Sequence, residues 1–282
     1  STRTSDGKGV SQIAFSNIAS APLAPGGEGA THEPTGSRAS NGLYYGLAIS
    51  RSGVVYAAQG AHDAVAVLKL GQDGTLTRDG TIPTRKTDFP AGLAMDDRGR
   101  LYVANNASGN PVDPRKLSGS VAIYDCATKK ELGRYVFSAS HEGTSNFPLG
   151  IAALRDGSKA YVAAERDDAV YVLDTRDPAR PTLLKTLSTG AHPVAVLLSK
   201  DQRQLFVSNS LSDTISVVDT ASDRIIATLL CRPRMARDVP GVTPLGLAIS
   251  PEQKPRIAAR GDMNAIAVID LKDMELLGYI PA

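Results

Sequence analysis

The residues best suited to chemistry in this chain are few. Four histidines, His32, His62, His141 and His192, could exchange a proton near neutral pH. Glu165-Arg166 sets a carboxylate beside a guanidinium directly after a strand-like run, where two sister segments carry Asn105 and Asn209 instead. Cys126 and Cys231 have no C-x-x-C or Cys/His spacing, so no zinc site is predicted and both are expected to be free thiols. No metal or cofactor is predicted. Arg260-Gly261-Asp262, the acceptor-like Asn106-Ala107-Ser108 and the Gly-rich N-terminal stretch are set aside. The first two triplets arise readily by chance, and the last lacks the strand, helix and lysine of a phosphate loop.

Composition narrows the field further. There are 31 basic against 29 acidic residues among 282, a balance too even to attract nucleic acid or an anionic membrane. No run approaches the ~18 apolar residues of a membrane-spanning helix, so membrane insertion is not expected. Tryptophan is absent and aromatics make up 5%, yet 42% of residues are hydrophobic. The core must be filled by Val, Ile, Leu and Ala, which suit closely packed sheets.

The elements that would carry these residues repeat. Pro90-Ala91-Gly92-Leu93-Ala94 returns as Pro148-Leu149-Gly150-Ile151-Ala152 and Pro244-Leu245-Gly246-Leu247-Ala248. Looser copies stand at Tyr44 to Ala48 and Pro193 to Leu197. Each copy leads through a polar turn, such as Asp96-Asp97-Arg98-Gly99, into an apolar second strand. A third strand follows (64–70, 120–125, 169–174, 214–219, 265–270), then a more polar fourth. Four strands in roughly 45 to 58 residues match propeller blades, not helical repeats. The fold class is therefore all-β, a β-propeller of four-stranded antiparallel blades with five repeats recognisable. The blades are expected at about 42–88, 89–146, 147–191, 192–242 and 243–282. Residues 1–41 form a Gly/Pro/Ala-rich tail, with one strand expected over Val10 to Phe15.

Leu101-Tyr102-Val103-Ala104-Asn105-Asn106 and Leu205-Phe206-Val207-Ser208-Asn209, each followed by a strand ending in Asp, resemble the YVTN β-propeller repeat. The resemblance covers about residues 42 to 282. It implies a bacterial, extracytoplasmic protein, periplasmic or secreted, and a ring of more than five blades, most often seven. An arc of five would expose two apolar faces, so a partner chain or downstream segment is expected to complete the ring, the alternative being a closed five-bladed ring of tighter curvature.

The same resemblance implies that loops after each second strand share one rim with the loops between blades. That rim would gather His62, Asn105, His141, Arg166, Asn209 and Arg260 as ligand contacts, beside Glu165 and His192. Two functions follow. One is a non-enzymatic binding or scaffolding module with a polar ligand site at the channel mouth, or none if the Asn and Asp residues only cap strand ends. The other is a hydrolase: Gly60 to Val67 followed by Gln72 to Thr77 resembles 6-phosphogluconolactonase-type propellers over one blade. That would make Glu165 or His192 the general base for a small sugar-type lactone, with Arg166 holding its anion. The third-strand aspartates Asp125, Asp174, Asp219 and Asp270 are expected to form turns on the opposite face.

Overall fold

The computed structural model describes residues 45–107, 118–138, 146–232, 241, 243–250, 256–260 and 265–281. The tail, with His32 and the strand expected at Val10 to Phe15, lies outside the described residues, as do His141, Asp262 and Asn264. Strand 256–260 is described by its backbone pairing alone.

The chain forms a β-propeller fold of five four-stranded antiparallel sheets. Blade one holds β1 (Leu47–Ile49), β2 (Val54–Ala58), β3 (Ala64–Leu70) and β4 (Leu76–Pro83). Blade two holds β5 (Pro90–Met95), β6 (Arg100–Asn105), β7 (Ser120–Asp125) and β8 (Lys130–Val136). Blade three follows with β9 (Pro148–Ala153), β10 (Lys159–Ala164), β11 (Ala169–Asp174) and β12 (Thr182–Ser188). Blade four has β13 (Pro193–Leu198), β14 (Gln204–Asn209), β15 (Thr214–Asp219) and β16 (Arg224–Leu230). Blade five has β17 (Gly246–Ile249), β18 (Arg256–Arg260), β19 (Ala265–Asp270) and β20 (Glu275–Pro281).

The core lies between blades, not within one. Tyr56, Val65, Val67 and Ile82 of blade one meet Leu93, Leu101, Val103 and Tyr124 of blade two. Equivalent layers join blades two and three, three and four, and four and five. Second and third strands are thus apolar on both faces, which is why they read as continuous runs. First strands sit side by side, and there the side chain must vanish: a Cβ on Gly46 would fall 2.2 Å from the Ala91 carbonyl oxygen.

Polar contacts also cross these layers. Cys126 of blade two packs against the cluster that holds Tyr56, and the Tyr161 hydroxyl donates to Thr220 O (3.2 Å) and Asp223 Oδ1 (2.8 Å) of blade four. In the second layer Arg100 spans the blades. It pairs with buried Asp96 (2.5 Å) and donates to Thr175 O (3.0 Å) and Gly157 O (2.8 Å). At the fourth layer the matching residues Phe206 and Leu271 are apolar, and the Tyr279 hydroxyl donates instead to Cys231 O (2.6 Å).

Each outer strand carries a β-bulge at the same place, opposite Val67/Leu68, Ile123/Tyr124, Val172/Leu173, Val217/Val218 and Val268/Ile269. The bulge bends the free edge and spoils it as a template for further pairing. The third-strand aspartates close turns as their position predicts. Asp125, Asp219 and Asp270 accept from the backbone N–H groups of Thr128, Ser222 and Lys272, and Asp174 from Arg176. Both cysteines are free, Cys231 fully buried and Cys126 partly so.

Candidate functional site

A repeated backbone device builds the end of the blades opposite those turns. Asp63, Asp168 and Asp213 each follow a second-strand loop in the left-handed conformation, with φ of 48°, 49° and 54°. The carboxylate of each accepts the N–H of the residue that leads into the next blade: Phe89 (2.9 Å), His192 (2.8 Å) and Thr243 (2.9 Å). Those residues, and Phe147, also have positive φ and stand directly before Pro90, Pro193, Pro244 and Pro148. The backbone there is common to all these blades, so it needs no special side chain. His192 is the variant among Phe, Phe, His and Thr.

Its backbone is pinned from both sides. Beyond the Asp168 bond, the His192 carbonyl accepts from Ser210 N (2.9 Å) and Ser210 Oγ (3.0 Å). The imidazole Nδ1 meets Glu165 Oε1 at 3.1 Å. Glu165 opens the short 3-10 turn Glu165–Asp167, which Asp168 closes. Blade three therefore supplies the carboxylate and blade four the imidazole, a pair joined only in the folded chain.

Arg166 is the next residue of that turn. Its guanidinium carbon lies 4.7 Å from the centroid of the Phe147 ring, an arrangement that favours cation and aromatic face. Phe147 packs in turn on Ala91, Leu149 and Val194, the residues that open the first strands of blades two, three and four. That cluster joins the starts of the inner strands of blades two, three and four. Across it, the Tyr45 hydroxyl donates to Val194 O at 2.7 Å. Arg166 is exposed, and among the described residues it has no acidic partner within ion-pair distance.

Glu165 and His192 are thus brought together, with Arg166 next in the turn and over the Phe147 ring. His62 is exposed on blade one, at the end of the Gly60–His62 turn on the same blade end. Asn105 and Asn209 are different: both are buried. Asn105 Nδ2 donates to Ser120 Oγ (3.2 Å), and Asn209 Nδ2 to Thr214 Oγ1 (3.0 Å) and Ser216 Oγ (2.9 Å). Their amides tie second strand to third and do not face a ligand. Arg260 ends β18, paired with Gly246.

Sequence reasoning passed over Tyr45, Phe147 and Asp168. The one available signal was that Phe147-Pro148 repeats Phe89-Pro90. Among the described residues, no group of three or more His, Cys, Asp or Glu side chains is arranged to hold a metal. No described helix is long and apolar enough to cross a membrane. No protein-family model matches the chain.

Proposed function

We propose that this chain is an extracytoplasmic binding module whose propeller holds a small polar ligand at the channel mouth. The observation that carries this is Arg166: an exposed guanidinium laid on the Phe147 ring, beside the Glu165–His192 pair, on an apolar floor built by three blades. A pocket with an apolar base and a few convergent polar groups is the usual form of a small-molecule site. Calorimetric titration with a panel of small carboxylates, sugar phosphates and sugars tests it. Binding that weakens about ten-fold or more in Arg166→Ala supports the site, since charged hydrogen bonds are worth that much. A panel that binds nothing, or that binds equally well to the variant, removes it.

The Glu165–His192 geometry supports a second reading, a lactonase-like hydrolase. A carboxylate on Nδ1 orients an imidazole so that Nε2 can take a proton from water. The resulting hydroxide would add to a lactone carbonyl, the ring C–O bond would break, and the leaving oxygen would take up the proton. Lactone turnover unaffected by Glu165→Gln eliminates this reading.

The periplasmic or secreted setting rests on the YVTN-like repeat residues. A partner chain or further segment is proposed to cover the inner strands of the first and last blades. Leu47, Ile49 and Leu245 are 61%, 64% and 47% exposed there, whereas their counterparts Leu93 and Leu149 in the middle blades are 8% and 7% exposed. On blade one this concerns the inner strand only, because Val55, Ala57 and Leu68 are buried.

A further inference from the structure

We infer that the ligand of the channel mouth is a small monocarboxylate with an apolar body, an aliphatic or aromatic acid. This rests on the binding-module reading above and names the class that its site would take.

Three observations carry it. The exposed Arg166 guanidinium stands over the Phe147 ring, 4.7 Å from its centroid, and its N–H fork can grip a planar carboxylate with two parallel bonds. Large apolar side chains stand exposed around this polar centre. Leu211, 65% exposed, is placed beside His192 by its N–H bond to Ala191 O (3.2 Å). Tyr45, 50% exposed, is tethered to Val194 two residues further on. Exposed apolar groups rimming a cation suit an acid with a hydrocarbon body.

The third observation concerns what the site lacks for a phosphate. Its backbone donors are already engaged: Glu165 N on Phe147 O, Arg166 N on Asn146 O, and His192 N on Asp168 Oδ1. A dianion would have one exposed cation to meet it and three carboxylates nearby, those of Glu165, Asp167 and Asp168, to repel it. Attraction and repulsion both scale with the ligand's charge, so the charges alone do not separate the two; a dianion gives up more hydration beside the exposed apolar groups, and that favours the monoanion.

The test uses the full chain and four probes at neutral pH: hexanoate, acetate, hexanol and inorganic phosphate, followed by calorimetry or by chemical-shift changes. Hexanoate is expected to bind about ten-fold or more tightly than acetate, because each buried methylene adds to affinity. Arg166→Ala should weaken hexanoate by about ten-fold or more. Leu211→Ser should weaken hexanoate several-fold and leave acetate unchanged. Both side chains are exposed, so both variants should keep the wild-type far-ultraviolet spectrum, and Arg166→Lys should restore part of the binding. Phosphate binding as tightly as hexanoate, with the same Arg166 dependence, overturns the ligand class and leaves the site standing. Hexanol binding as well as hexanoate overturns the role given to the carboxylate. No response to any probe, in either the wild type or the variants, overturns both the class and the site.

Discussion

A methyl group added at Gly92 should force apart the inner strands of blades two and three. A Cβ built there falls 2.0 Å from Leu149 O, 3.1 Å from Leu149 C and 3.2 Å from Ile151 Cγ2. A comfortable non-bonded contact is roughly 3.5 Å, so the strands must separate by roughly 1.5 Å or tilt. The obstacle is a backbone carbonyl, which no rotamer change can remove, and it sits on the apolar cluster of Ala91, Leu149 and Val194. Overpacking of this kind costs about 1–3 kcal/mol, and the closeness of the contact argues for about 3. The same substitution at Gly246 supplies the control. That glycine holds the same place in blade five, but no atom of a described residue lies within 4 Å of its Cβ position. Replacing a strand glycine by alanine there should gain about 0.5–1 kcal/mol. The two variants should therefore differ by about 3–4 kcal/mol, or about 6–16 °C in Tm at about 2–4 °C per kcal/mol. Far-ultraviolet circular dichroism on heating reads this directly. Gly150→Ala should fall between them, because its nearest backbone oxygen is at 2.6 Å. Equal Tm changes for Gly92→Ala and Gly246→Ala would refute the close approach of the first strands as the reason for glycine at this position.

Other outcomes follow from the layers between blades. Arg100→Ala should destabilise the fold by about 3–5 kcal/mol in urea melts, because it strands the buried Asp96 carboxylate without its cation. Burial, with a smaller contribution from Asp213, pushes the Cys231 thiol up to about 12. Burial also raises Cys126. Neither thiol should react quickly with an aromatic disulfide reagent at pH 8, and both should do so in denaturant. For Glu131, burial pushes the carboxyl up, but hydrogen bonds and charge from Arg134 and Arg85 outweigh it and hold it below its ordinary 4.5. Its contribution to stability is then complete above that value and lost as pH falls through the lower, folded-state value. Glu131→Gln should lower stability at pH 7 and flatten its fall below about pH 4.5.

The YVTN-like runs and the aspartates behind the third strands gave away the blades, because strand, turn and strand are written locally. Every third strand begins and ends where the pattern puts it, from Ala64–Leu70 to Ala265–Asp270. The bulge in each outer strand was not legible. Gly80, Gly133 and Gly278 stand at three of the five, but Lys185 and Ala227 hold the same place in blades three and four and look like ordinary strand residues. The site was legible in part. Glu165-Arg166 stood out as a charged pair where sister blades have asparagine, and the structure brings Glu165 onto His192 and Arg166 over Phe147. Asn105 and Asn209 looked alike and equally available, yet both point inward.

What the chain determines by itself is therefore the set of strands, their order and the turns between them, since neighbouring residues fix hydrophobic period and turn chemistry. Tertiary structure decided which polar groups meet. Glu165 finds His192 only because Asp168 clamps the backbone before Pro193 against blade three. Tyr45 reaches Val194 across 149 residues of sequence only because the first strands crowd together. Such contacts depend on how one blade's face lies on the next, and no local pattern of residue types encodes that angle.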